Sequence, residues 1–181
     1  SVGADLPALE RVGSVDVLRR SGNDVLLVTV GALGELGIEA AQRLEDQGIG
    51  VTVVDPREEY AVAWDLASVP LDRGMPDDVV RELQLDGHSA LVALTHDPKL
   101  DDLALMEGLK SAAFYVGAIG SKKNNDARRE RLKEFDVSAD EIARLRGPVG
   151  LYIGSKTPPE IAVAILAEMT AVRHGVSEPS W

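Results

Sequence analysis

Four continuous apolar runs, rich in β-branched residues, constrain this chain most: VLLVTV (25–30), VTVVD (51–55), the start of SALVALTHD (89–97), and AAFYVGAI (112–119). None alternates between apolar and polar positions. A strand that is apolar on both faces is buried on both faces, which is the situation inside a parallel sheet. Parallel strands need crossovers, and helix-like segments lie between the runs. They are IEAAQRLEDQG to about Gly48, PDDVVRELQL from Pro76, PKLDDLALMEGLK (98–110), and 121–134. The pattern predicts an α/β fold, a Rossmann-like open, mostly parallel sheet with helices on both faces. One domain is expected over 23–176, with 1–22 as an N-terminal extension or linker and 177–181 as a tail. A short third strand is expected near 67–69 and a brief last strand at 150–153. Ser138-Ala-Asp-Glu141 reads as a capping box that opens a short helix ending at Gly147.

Bulk numbers remove several function classes. The net charge of −11 argues against a general nucleic-acid or anionic-membrane surface. Aromatics are 4%, too few for a base-stacking platform. With no cysteine, disulfides, thiolate metal ligands and a Cys nucleophile are excluded, which fits a cytoplasmic protein. No apolar run approaches the roughly 20 residues that span a bilayer. No His-Glu-x-x-His, no Gly-x-Ser-x-Gly and no convincing carboxylate pair is present, so no catalytic residue is assigned.

Four segments have binding chemistry. The first is GALGELG (31–37) with Asp55. It follows a strand, as a dinucleotide fingerprint does. Gly34 and Gly37 fit its second and third glycines, Ala32 replaces the first, and Glu35 would repel a phosphate. Asp55 suits a ribose 2′-OH. A dinucleotide turn and a turn that binds none both stay open. The second is Thr95-His96-Asp97 at a strand's carboxyl end, where ligands of open α/β sheets bind. These residues would meet a polar ring, or Asp97 caps the helix that Pro98 opens.

The third is Gly117-x-x-Gly120-Ser121-Lys122-Lys123. Two lysines open a helix where its dipole is already positive, against the usual charge rule. Backbone N–H groups, a hydroxyl and two ammonium groups together suit an anion, phosphate above all. The spacing is not that of a Walker A loop. The fourth is Gly154-Ser155-Lys156-Thr157, before a helix that starts with the capping box Thr157-Pro-Pro-Glu160. It reads as an anion site or as an ordinary capped helix start. The helix behind it, IAVAILAEMTAV (161–172), is apolar almost all round and predicts packing on more than one side, hence a homodimer.

The segments VTVVDPREEYA (51–61), LVALTHDPKLD (91–101), YVGAIGSKK (115–123) and PVGLYIGSKTPPEIAVAILAEMTAVRHG (148–175) resemble, in order, the C-terminal Rossmann-like domain of the xanthine dehydrogenase accessory protein family, XdhC/CoxI. The resemblance runs over about 25–175. It implies a non-catalytic maturation factor that binds molybdenum cofactor, a molybdopterin with a terminal phosphate. Such a factor assists the cofactor's sulfuration and its insertion into a xanthine dehydrogenase or carbon monoxide dehydrogenase-type enzyme. On that reading Gly117, Gly120, Ser121, Lys122 and Lys123 hold phosphate, and Thr95, His96 and Asp97 lie near the pterin.

The chain departs from the family pattern at Ala32, Glu35 and Leu36 in the first turn, at Tyr152, and at Asn124 and Asn125, where basic residues commonly continue. The family's cysteine-bearing N-terminal half is not in this sequence. That implies one half of a split factor, with the other half on a separate protein, or a paralogue whose ligand has drifted. Two rival classes are an NAD(P)-dependent oxidoreductase using Gly34, Gly37 and Asp55, and a scaffold that binds only a partner subunit.

Overall fold

The computed structural model describes residues 10–12, 15–17, 26–30, 49–61, 64 and 69–176. Six strands form one parallel sheet in the order β5-β4-β3-β6-β7-β8. They are β3 (Leu26–Val30), β4 (Gly50–Val54), β5 (Leu71–Asp72), β6 (Ser89–Ala93), β7 (Tyr115–Ala118) and β8 (Leu145–Arg146). β3 is central, with Leu26–Val30 in register with Gly50–Val54 on one side and Ser89–Ala93 on the other. A separate antiparallel pair, β1 (Glu10–Val12) and β2 (Val15–Val17), lies within the segment expected to be an extension.

The described helices are α1 (Glu58–Ala61), α2 (Pro76–Leu83), α3 (Pro98–Lys110), α4 (Lys122–Lys133), α5 (Ala139–Ala143) and α6 (Pro158–Arg173). The sheet has helices on both faces, and the strand sequences show why. In β6, Leu91 and Ala93 join a core with Val79, Val80, Leu83, Leu105, Leu109 and Leu132, from α2, α3 and α4. Ala90 and Val92 point the other way and join Val51, Val53, Tyr115, Ile165 and Met169. Side chains alternate faces along a strand, so a strand covered on both sides must be apolar throughout. Each fully buried Leu or Val is worth roughly 1.5–3 kcal/mol.

Three expectations shift. The strand next to β4 is Leu71–Asp72, and positions 65–68 lie outside the described residues. The last strand is Leu145–Arg146, paired with Val116 and Gly117, and not 150–153. Beyond it Val149 N–H still reaches the Ala118 carbonyl, but Gly150, at φ +90°, turns the chain toward α6, where Leu151 N–H bonds the Ala164 carbonyl. A Cβ at Gly150 would lie 3.0 Å from Ala164 C and Ile165 N, so loop and helix meet backbone to backbone. α5 ends at Ala143 and not at Gly147, because the next residues are drawn into β8. The Arg144 guanidinium donates to the Leu109 and Ser111 carbonyls beside it. α6 buries Ala164, Ile165 and Met169, while Val163 stays 59% exposed.

Candidate functional site at the carboxyl ends of the strands

β6 ends in a tight polar turn. The Thr95 hydroxyl donates 2.7 Å to Asp101 Oδ1 and accepts from Asp97 N–H at 2.9 Å. Thr95 N–H also reaches Asp101 Oδ1, at 3.1 Å. Asp97 caps α3 by accepting from Lys99 N–H. Thr95 is thereby buried and structural, and Asp97 is half-buried and engaged as a cap. His96, between them, is exposed with a left-handed φ of 61°. Left-handed backbone costs a non-glycine residue about 1–3 kcal/mol, a strain that fixed turns at functional sites often hold.

β7 ends beside it, with Ile119 N–H bonded to the Ala93 carbonyl at 2.9 Å. Gly120 has a φ of 125°, which only glycine adopts easily. Ser121 is the N-cap of α4, and its hydroxyl accepts from Asn124 N–H at 3.2 Å. The first N–H groups of a helix have no partner within it. α4 has no acidic residue in its first turn, so no carboxylate of its own covers the remaining ones. Lys122 is exposed and 3.3 Å from Asp126, a solvent-screened pair, and Lys123 is exposed. Gly117 is different from its neighbours. It lies inside β7, and a Cβ there would meet Val149 Cγ2 at 2.5 Å. Its lack of a side chain serves packing.

Under these two turns lies a buried polar network that the sequence reading missed. Arg128 donates from Nη2 to Asp101 Oδ2 at 3.0 Å and from Nε to Asp102 Oδ1 at 3.2 Å. Its Nη1 donates to Asn125 Oδ1 at 2.7 Å and to the Ile119 carbonyl at 2.9 Å. Asn125, fully buried, donates to the Gly120 and Ser121 carbonyls. Arg131 completes the Asp102 side at 2.6 Å. Burial pushes the Asp101 carboxyl above the usual carboxylate range, against the opposing Thr95 hydrogen bonds and the Arg128 charge. A signal was available. Asn125 and Arg128 share one helical stripe with buried Leu132, as Asp101 does with Ala104, Leu105 and Gly108.

The other candidates are placed as follows. Asp55, at the end of β4, is fully buried and forked by Arg57, with Nε 2.8 Å from Oδ1 and Nη2 2.7 Å from Oδ2. A ribose would have to compete with that guanidinium. Gly34 and Gly37 lie outside the described residues. Gly154 (φ 78°) and Lys156 are exposed on the loop before α6. Glu160 reaches back to accept from both Lys156 N–H and Thr157 N–H at 2.8 Å. A carboxylate of the chain itself thus occupies that anion position. Below the loop, Glu168 Oε2 accepts from Gly150 N–H and the Tyr115 hydroxyl. Burial, then this carboxylate, pushes the Tyr115 hydroxyl pKa far upward. The structure therefore brings the second and third candidates together at adjacent strand ends. Asp55 lies two strands from β6, and the fourth lies on the loop that opens α6.

A parallel, doubly covered sheet with its polar turns at the carboxyl edge defines a Rossmann-like domain. Residues 27–169 match the XdhC Rossmann domain, and the chain belongs to that family. A solved chain described as a xanthine dehydrogenase from Bacillus halodurans shares the fold, with a TM-score of 0.68 at 24% identity over 87% of this chain and 45% of that one. The molybdenum cofactor insertion chaperone PaoD of Escherichia coli (strain K12) is 31% identical over 97 residues, 54% of this chain and 30% of PaoD. A 1-deoxy-D-xylulose-5-phosphate synthase of Pseudarthrobacter chlorophenolicus is 56% identical over 172 residues, 87% of this chain and 23% of that protein. One from Saccharopolyspora erythraea is 57% identical over 61 residues, 32% of this chain and 10% of the synthase. The chain thus spans between 10% and 30% of these curated relatives. Among the described residues no helix is long and apolar enough to cross a membrane, and no metal-ligating cluster occurs.

Proposed function

We propose that this chain is a molybdenum-cofactor handling domain that holds molybdopterin and assists its sulfuration and insertion into a xanthine dehydrogenase- or carbon monoxide dehydrogenase-type molybdoenzyme. The observation that carries this reading is the start of α4. It has a left-handed glycine, a capping serine, two exposed lysines and no carboxylate in the first turn, at a parallel-sheet carboxyl edge. Such a turn fits a terminal phosphate. Membership of the XdhC family and the likeness to PaoD support molybdenum cofactor as the ligand. When bound, the cofactor supplies the molybdenum chemistry of the recipient enzyme. This chain's part is to hold the phosphate on the 120–123 turn and to present the pterin toward His96. Its partners on this reading are the recipient molybdoenzyme subunit, a separate protein carrying the cysteine-bearing half, and a second copy of the chain across the exposed side of α6. The synthase relatives share between 10% and 23% of their length with this chain, too little to transfer their reaction.

The test is a side-by-side thermal-shift and calorimetric titration with molybdopterin cofactor and with NAD(P)(H). A ligand of the native state raises the melting temperature with concentration. Stabilisation by the pterin supports the proposal. Stabilisation by the dinucleotide alone replaces it with a redox or nucleotide-binding role centred on Asp55.

A further inference from the structure

The buried network does more than neutralise charge. Asp101 takes both the N–H and the hydroxyl of Thr95, fixing the turn after β6. Asn125 takes the carbonyls of Gly120 and Ser121, fixing the turn after β7. Arg128 joins the two through Asp101 and Asn125 and adds the Ile119 carbonyl between them. Asn125 also fills the space over Gly147, where a Cβ would lie 2.3 Å from Asn125 Oδ1. The segment after β8 is thereby seated on the same side chain. Among the described residues no buried side-chain polar atom lacks a partner.

We propose that Asp101, Arg128 and Asn125 are positioning residues that lock the 95–97 turn, the 120–121 turn and the Gly147–Pro148 bend into one pre-formed rim, so that a phosphate-bearing ligand meets donors already in place. The ligand part rests on the proposed function above; the mechanical coupling does not. A fully satisfied buried network specifies one arrangement, because each partial alternative strands a charged group. A planar guanidinium with its donors in a fixed fork is suited to this, and an ammonium is not. Asn125 accordingly does not face the ligand. A basic side chain there would have to enter a fully buried site already in contact with Arg128.

Amide hydrogen exchange of the unliganded full chain tests the coupling. Asp101→Asn keeps the shape and the acceptor for Thr95 but turns a donor toward Arg128. It is expected to raise exchange about tenfold or more at the hydrogen-bonded amides across the network, those of Ile119, Asn124 and Asn125, while Leu91–Ala93 in β6 stay protected. Arg128→Lys, which keeps the charge and loses the fork, is expected to loosen both turns. Exchange that rises only around residue 101, or equally in β6, overturns the coupling and leaves a local or merely stabilising role. If Asp101→Asn does not fold, Thr95→Val, which removes one hydroxyl at the network's end, is read in the same way. Calorimetry with molybdopterin gives the second arm, with affinity expected to fall about tenfold in the coupled variants. Unchanged affinity despite loosened turns overturns the positioning role. Absence of binding by the unsubstituted chain overturns the ligand reading, and the exchange result still decides the coupling.

Discussion

α4 and α6 begin alike in sequence and differently in space. Each start carries a glycine, a serine and lysine, with Lys122 and Lys123 opening α4 and Lys156 preceding the cap of α6. Three residues after its N-cap, α6 has Glu160, which folds back onto the N–H groups of Lys156 and Thr157. α4 has Asn124 at that position and no acidic residue in its first turn. α5 repeats the α6 solution, with Glu141 accepting from Ser138 N–H at 2.7 Å. One residue therefore separates a helix start that supplies its own anion from one whose first turn has no carboxylate. A glycine-lysine turn is informative only when the third helical position is read with it.

The largest expected effect comes from removing the cationic half of that difference. Lys122→Glu with Lys123→Glu should weaken molybdopterin binding roughly a hundredfold by calorimetry, about two charged hydrogen bonds. The fold should change by under about 0.5 kcal/mol in urea titration, since both side chains are exposed. Survival of binding would place the anion site elsewhere.

Making α4 resemble α6 is sharper. Asn124→Glu creates a Ser-x-x-Glu box, and it should raise stability by about 0.5 kcal/mol while lowering ligand affinity about tenfold. A gain in stability with no loss of affinity would show that the two starts do not differ in the way argued. The converse change, Glu160→Ala, should lower the melting temperature and leave ligand affinity as it was, because it uncovers the N–H groups of Lys156 and Thr157 and not those of the α4 start.

The smallest effect is set by pH. Hydrogen bonds from backbone N–H groups hold the carboxyls of Glu160 and Glu141 below their ordinary value of 4.5. Their contribution is present above about pH 4.5 and is lost as pH falls through the lowered values. Asp101 runs the other way. Raised above 3.8, it contributes below that value and loses the contribution as pH rises. Acidification should therefore expose the amides of Ser138, Lys156 and Thr157 to exchange before that of Thr95, and the reverse order would contradict these assignments.

The sheet was legible because burial on both faces leaves a direct mark: four apolar runs became β3, β4, β6 and β7. Edge strands leave less of one. Two-residue strands such as Leu71–Asp72 and Leu145–Arg146 are chosen by pairing, and no periodicity fits in two residues. At the site, sequence located the turns but misjudged parts. Gly117 reads like a ligand glycine, yet Val149 fills the space beside it. Asn125 reads like a lost basic contact, yet it is fully buried. Both depend on which way one backbone position faces, a tertiary fact. The Arg128 network was hidden because charged residues are expected on the outside, although its stripe with Leu132 argued otherwise.

The short strand β8 has a consequence for assembly. An open sheet invites another chain to extend it through unsatisfied edge groups. Here the outermost strand at this end has two residues, and Arg129 Nη2 donates to the carbonyls of Leu145 and Gly147 at 3.2 and 3.0 Å. A guanidinium stands where an added strand would dock. Growth of the sheet past β8 is closed off, so a protein that meets the domain on this side must be recognised through helix surfaces and loops, and the contact can be dissolved without unzipping a ladder.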